Sequence, residues 1–311
     1  MDEQGITPMM PPRPGRPERR PPRGQLARRR AFAGVLLLGF LAVALYFALG
    51  LGADDAKVGA TPPPVTTAPK PVILKILFPE GFTRKEMVKR VAEVRQIAKT
   101  KRKVTPKLSG NAYAAASKAA KVPAPFRKHA RGIEGFLFPA TYEFTPTTTA
   151  KQLVADQIAR FNDSWEKVDQ RYARKKQLTP YDVLIIASMV EKETIAPDER
   201  PKVAAVIYNR LKARMPLGID ATIRYGLDVP GTESLRVSQL ESNNPYNTRN
   251  RTGLPPTPIA NPGLASIQAA AHPAKVTYLY FVRKPDRVHH FFTASESEFF
   301  ARACEYGYGC G

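Results

Sequence analysis

The uncharged stretch from Ala31 to Leu51 constrains this chain more than any other feature. Its 21 residues include no Asp, Glu, Lys or Arg, and as a helix they would extend about 31 Å, the thickness of a hydrocarbon core. A cleaved signal peptide would have a shorter apolar segment, of about 7–15 residues. We therefore expect one transmembrane helix at residues 31–51.

Charges on either side of this segment predict its orientation. Arg28, Arg29 and Arg30 adjoin it on the N-terminal side, and Asp54 and Asp55 follow it. Because positive charge is retained on the cytoplasmic side, the N-terminus should be cytoplasmic. The expected location is the cell membrane, with a single pass and with the rest of the chain outside the cytoplasm.

The net charge of +21 attracts polyanions, and nucleic acid is the usual first interpretation. The predicted topology argues against nucleic acid as a partner, since the folded part would face the cell envelope. Anionic envelope polymers and lipid head groups are the counter-charges available there. A basic surface that only keeps the protein soluble is the alternative.

Local patterns divide the chain further. Residues 1–30, rich in Pro and Arg, predict a disordered basic tail, and residues 52–71, with Pro62–Pro64, a Pro-rich linker. A strand is expected at 72–78, and Thr83 with Glu86 predicts a capped helix after it. Further predicted elements are helices at 150–165, 180–194 and 199–214, and a hairpin formed by 278–282 and 290–293.

The predicted helix from Pro180 places one glutamate on its apolar face. Glu191 follows Leu184 by seven residues, about −20° around the helix axis, so the two side chains share a face. A desolvated carboxyl has a raised pKa, which suits a general acid near neutral pH. Glu193 points roughly 160° away, so the two glutamates cannot form a facing pair. Capping or solvation of the helix end is the alternative role for both.

Several kinds of chemistry lack their motifs. The sequence contains no G-x-G-x-x-G, P-loop, H-E-x-x-H or G-x-S-x-G pattern, and its four histidines form no zinc-binding pattern. No cofactor or metal is therefore expected. The remaining possibility is carboxylate chemistry on a polysaccharide of the envelope. Cleavage of a glycosidic bond ordinarily needs two carboxylates. One acid suffices if the sugar supplies its own nucleophile, as in a lytic transglycosylase.

Ordered motifs between about residues 72 and 293 connect this chemistry to a known family. They include Glu134–Tyr142, Ala187–Thr194, Tyr208–Leu211, Met215–Leu217, Asp220 with Thr222, Tyr225 and Gly226, Asn244–Thr248 and Gly253–Pro256. With these motifs the chain resembles the endolytic murein transglycosylase, or YceG-like, family. Ala221 and Thr257 depart from the family pattern, where proline and glycine are usual.

The resemblance implies a mixed α+β fold outside the membrane. A LysM-like module with a basic connector would occupy residues 72–130, and a catalytic domain residues 131–311. The implied reaction cuts nascent peptidoglycan between MurNAc and GlcNAc and leaves 1,6-anhydroMurNAc ends. It would limit the length of glycan strands, with peptidoglycan synthases as the implied partners. Glu191 would act as general acid and then as base.

Motif position also suggests substrate-binding residues, namely Asn209, Asp220, Tyr246 and Asn247. A structural hydrogen-bonding role is the alternative for each of them. Two other functions stay open: a muramidase that uses Asp220 as second carboxylate, and a peptidoglycan-binding scaffold without activity. Cys304 and Cys310 suit an oxidising compartment, but spacing alone does not establish a bond between them.

Overall fold

A computed structural model describes residues 72–308. The predicted tail, span and linker and also Cys310 lie outside these residues, so the topology stays a prediction and a bond between Cys304 and Cys310 stays open. Within residues 72–308, none of the helices has the length and apolar character needed to cross a membrane.

Short strands and ten α-helices make up the described part of the chain, which confirms a mixed α+β class. The strands are β1 Leu74–Leu77, β2 Thr141–Phe144, β3 Tyr280–Arg283 and β4 His290–Thr293. The helices are α1 Arg84–Arg102, α2 Gly110–Ala119, α3 Ala150–Trp165, α4 Arg171–Lys175, α5 Pro180–Glu193, α6 Arg200–Lys212, α7 Asp220–Leu227, α8 Val237–Leu240, α9 Leu264–Ala271 and α10 Glu296–Glu305. Short 3₁₀ turns lie at Ala124–Phe126 and Pro197–Glu199.

The strand β1 pairs with β2 in antiparallel register, with Leu74 opposite Phe144. Leu74 and Ile76 of β1 are buried, while Lys75 and Leu77 face outward. Because β2 lies beyond residue 131, the segment predicted as a LysM-like module shares a sheet and a hydrophobic core with the segment predicted as catalytic. The LysM-like character itself stays a prediction.

Helix α5 lies at the centre of the helical core. Its residues from Val183 to Val190 are all buried, and it packs against α9 and α6. A helix that is apolar on every side has to be covered on every side. Thr179 and Asp182 form a capping box at its start, so this helix begins at a defined residue. Glu191 and Glu193 lie at its other end.

Most of the predicted helices are confirmed at or near their bounds. Helix α3 has the predicted limits, α5 ends one residue earlier, and α6 begins after the 3₁₀ turn at Pro197–Glu199. The hairpin of β3 and β4 is confirmed as well. The sequence patterns missed α2, α4, α7, α8, α9 and α10. For α7 and α9 the reason is that short helices in a region rich in Gly, Pro and Asn show too few turns for a periodic signal.

Candidate active site

A cleft of about 1210 Å³ opens between the start of α1, residues 131–134, the end of α5 and the start of α7. The acidic side chains that line it are Glu86, Glu134, Glu193, Asp220 and Asp228. Glu86 belongs to the capping box of α1, and Asp228 forms an ion pair with Lys85. The other three carboxyl groups of the cleft are those of Glu134, Glu193 and Asp220, and the last of these is ion-paired with Arg249.

Glu193 is the last residue of α5, and part of its side chain is open to the cleft. Burial raises the pKa of its carboxyl to about 7. Arg283 and Lys192 oppose this rise, and the negative charge of Asp220 adds to it. The Arg283 guanidinium donates a hydrogen bond to the backbone oxygen of Glu193 at 3.3 Å. A carboxyl with this pKa exchanges its proton readily near neutral pH.

Glu134 also lines the cleft, and its carboxylate accepts hydrogen bonds from three groups. The backbone N–H of Arg84 donates to both carboxylate oxygens at 2.9 and 3.2 Å, Asn261 Nδ2 donates at 2.7 Å and the Tyr225 hydroxyl at 3.1 Å. Burial nevertheless raises the pKa of Glu134 to about 7. With its oxygens occupied, Glu134 joins the start of α1 to α7 and is less available to a ligand than Glu193.

Asn261 connects this network to the core. Its Oδ1 accepts from the backbone N–H groups of Gly135 and Leu137, each at 2.9 Å. Its Nδ2 donates to Glu134 and to the backbone oxygen of Phe82, the latter at 2.9 Å. Since Asn261 is fully buried and all four amide positions are paired, it holds three segments of the site in one arrangement.

Glu191 lies on the other side of α5 and does not line the cleft. Its Oε2 accepts a hydrogen bond from the backbone N–H of Gly263 at 2.9 Å. Glu80 is close by, and burial together with the charge of Glu191 raises the pKa of Glu80. The geometry shows Glu191 holding the loop before α9, so its predicted catalytic role stays a prediction that this position does not favour.

The four predicted substrate-binding residues lie in different environments. Asp220 and Tyr246 line the cleft, and Asp220 forms an ion pair with Arg249 at 2.7 Å. Asn209 and Asn247 lie outside the cleft lining. The amide of Asn209 donates to the backbone oxygens of Val276 and Tyr278, and that of Asn247 to those of Leu240 and Ser242. Asn209 and Asn247 therefore have the structural hydrogen-bonding role that was the alternative to substrate binding.

Sequence reasoning left Glu193, Glu134 and Tyr225 out of the site. The helical spacing correctly separates Glu191 from Glu193, but it does not tell which of them faces a cleft formed by distant segments. Glu134 and Tyr225 occur in the matched motifs, which was the only signal for them. Among residues 72–308, no group of three or more His, Cys, Asp or Glu side chains is arranged to hold a metal ion.

Comparison with known proteins agrees with these motifs. The sequence profile of the YceG-like family matches residues 65–304. The chain belongs to the YceG-like family. A solved structure of a yceG-like protein from Listeria monocytogenes superposes with a TM-score of 0.61 at 28% identity and covers 72% of this chain and 74% of the other.

Two curated relatives of this YceG-like chain are named endolytic murein transglycosylase. The protein of Bacillus subtilis strain 168 is 40% identical over 154 residues, which are 49% of this chain and 42% of the relative. That of Streptococcus pneumoniae strain D39 is 34% identical over 157 residues, 48% of this chain and 28% of the relative. The match thus spans less than half the length of each of these relatives.

The raised pKa of Glu193 predicts that ionisation of this carboxyl lowers the stability of the folded state. Since the pKa of this carboxyl is about 7 in the folded state and the ordinary value for glutamate is 4.5, stability is lost as pH rises from about 4.5 to about 7. We expect Glu193→Gln to stabilise the protein at pH 8, by up to about 3 kcal/mol, and to have little effect at pH 4. Urea unfolding of the detergent-solubilised chain at both pH values measures this difference.

The matched control is Glu166→Gln, at an exposed position beyond α3. It is expected to change the free energy of unfolding by less than about 0.5 kcal/mol at either pH. Equal stability of the wild type and Glu193→Gln at pH 8 would contradict the raised pKa.

Proposed function

We propose that this protein cleaves nascent peptidoglycan glycan strands between MurNAc and GlcNAc as a lytic transglycosylase, and leaves 1,6-anhydroMurNAc ends. The relatives named endolytic murein transglycosylase support the substrate class. The observation that carries the proposal is the Glu193 carboxyl, which is partly open to a large cleft and has a pKa of about 7. Such a group can give up and take back a proton in one reaction cycle.

In this mechanism Glu193 serves both steps. Its carboxyl first protonates the glycosidic oxygen as the bond from that oxygen to C1 of MurNAc breaks. The resulting carboxylate then takes the proton from the C6 hydroxyl of the same sugar, whose oxygen forms the new bond to C1. The proton returns to Glu193 and no water is consumed. A pKa near 7 lets the same group act as acid and as base at neutral pH.

A muramidase is the second candidate, and Asp220 favours it. Its charge helps raise the pKa of Glu193, so the two carboxyl groups are close enough to interact. Asp220 as a second carboxylate would activate water or attack C1, and the product would then be a reducing end. The ion pair with Arg249 instead supports a role for Asp220 in orienting the start of α7.

Product analysis separates these candidates. The detergent-solubilised full chain would be incubated with uncrosslinked glycan strands, and the new ends identified by mass spectrometry. Anhydro ends, lighter than reducing ends by one water, are expected. Reducing ends would identify a hydrolase. Binding of strands without cleavage would identify a scaffold.

We also propose single-pass anchoring in the cell membrane through residues 31–51, with the cleft on the extracytoplasmic side beside peptidoglycan synthases. The uncharged segment and its flanking arginines support this topology. Protease is added to cells whose envelope is permeable but whose cytoplasmic membrane is intact. We expect it to digest the part of the protein that follows residue 51. Full protection of that part would overturn the topology. Copurification with a synthase tests the partnership, and its absence after crosslinking would count against it.

A LysM-like module within residues 72–130 is likewise proposed. Arg84, Lys85 and Lys89 at the start of α1 line the cleft, which supports a contribution of this segment to glycan binding. Lys89→Gln is expected to weaken retention on glycan strands, and unchanged retention would contradict this contribution.

A further inference from the structure

We propose that Tyr225 and Tyr246 form a stacking subsite for a pyranose ring, and that Glu134 and Thr257 position the two aromatic rings through their hydroxyl groups. The inference rests on the proposed function for the identity of the sugar as part of a glycan strand. It adds a place where one ring of that strand is held within the same cleft as Glu193.

The two tyrosines are neighbours in the cleft wall. Their ring centroids are 5.2 Å apart, with an angle of 60° between the ring planes. Both side chains line the cleft, and both are partly exposed. Each also packs against the hydrophobic core, which supports the rings from behind. Two inclined aromatic rings in the wall of a cleft can stack on the apolar C–H face of a sugar ring.

The hydroxyl groups of both tyrosines are directed to protein partners. Tyr225 donates to Glu134 Oε2 at 3.1 Å. The Tyr246 hydroxyl lies 2.7 Å from Thr257 Oγ1, and Thr257 Oγ1 lies 2.8 Å from the Pro258 backbone oxygen. Since that carbonyl can only accept, the Thr257 hydroxyl donates to it and Tyr246 donates to Thr257. The hydroxyl groups are thus occupied, and the aromatic rings are the part of each side chain that can contact a ligand.

The backbone around the two rings is built for close approach. A Cβ atom at Gly226 would lie 2.5 Å from Asn244 Oδ1 and 2.7 Å from Tyr246 Cβ, so any other residue would push the two segments apart. Asn244 Nδ2 donates to the Gly226 backbone oxygen at 3.1 Å, and Tyr246 N donates to Asn244 Oδ1 at 2.9 Å. A rigid pair of this kind binds without the entropic cost of ordering its side chains.

Aromatic pairs elsewhere provide a control. Tyr278 stacks on Phe292, with centroids 5.8 Å apart, but neither ring lines the cleft. If the tyrosines of the cleft served packing only, loss of either kind of ring should have the same effect on ligand binding. Glycan binding therefore separates a subsite from a packing role.

The test measures binding of the β-1,4-linked tetramer of N-acetylglucosamine to the detergent-solubilised full chain by calorimetry. We expect Tyr225→Leu and Tyr246→Leu to raise Kd about tenfold or more, because each removes an aromatic face. Tyr225→Phe and Tyr246→Phe keep the aromatic face and lose only the positioning hydrogen bond, so we expect them to raise Kd about threefold. Tyr278→Leu should leave Kd unchanged.

Saturation-transfer NMR on the wild type makes the test independent of how well the variants fold. Stacking predicts stronger saturation of the protons on one face of a sugar ring than of its N-acetyl methyl group. Wild-type binding that shows no such face preference, leucine variants with wild-type Kd and unfolding midpoint, or no binding by the wild type would each overturn the subsite. Binding with the expected preference but without cleavage would instead count against the proposed reaction.

Discussion

Glu193→Gln is expected to lower kcat/KM for the proposed glycan cleavage by about a hundredfold to ten-thousandfold, the usual contribution of a general acid–base group. The amide has nearly the same size and polarity, but it can neither donate the proton to the leaving oxygen nor take one from the attacking hydroxyl. The rate of release of anhydro ends, measured by chromatography and mass spectrometry, gives the size of the loss.

Glu191→Gln is the matched control on the same helix. Its amide oxygen can still accept the hydrogen bond from Gly263 N–H, so the loop before α9 should keep its place. We expect activity within about threefold of the wild type. If instead Glu191→Gln were inactive and Glu193→Gln active, with both folded, the helical-face prediction of Glu191 would be right and the assignment of Glu193 wrong.

Asn261→Ala is expected to destabilise the protein by about 4 kcal/mol, because it leaves two buried N–H groups without an acceptor and removes one donor from each of two further groups. The N–H groups of Gly135 and Leu137 lose their acceptor, and Glu134 and the Phe82 oxygen lose a donor. Unfolding in urea of the wild type and the variant measures the difference.

Two further variants specify the cause of that destabilisation. Asn162 is exposed on α3, and its replacement by alanine should cost less than about 0.5 kcal/mol. Asn261→Asp keeps the two acceptor contacts but sets an oxygen against Glu134 and the Phe82 oxygen, so it should be destabilising and more so at high pH. A loss of less than about 1 kcal/mol for Asn261→Ala would show that the network does not hold the site together.

Local sequence signals account for the elements that were predicted correctly. Thr83 with Glu86 and Thr179 with Asp182 form capping boxes in the structure, and each starts its helix where the pattern indicates. Such signals act over three or four residues, so neighbours in the chain are enough to determine them. Helices α7 and α9 lack them, since neither has a side-chain cap, and they form where the surrounding core covers them.

The site shows the same division between local and distant causes. Helical spacing alone established that Glu191 and Glu193 point in different directions, and the motifs alone established the family. Only the tertiary structure decided which glutamate meets the cleft, because that depends on Asp220 and Arg283, which are distant in sequence. Burial by these segments raises the pKa of the Glu193 carboxyl, and desolvation is a property of the surroundings that one helix does not carry.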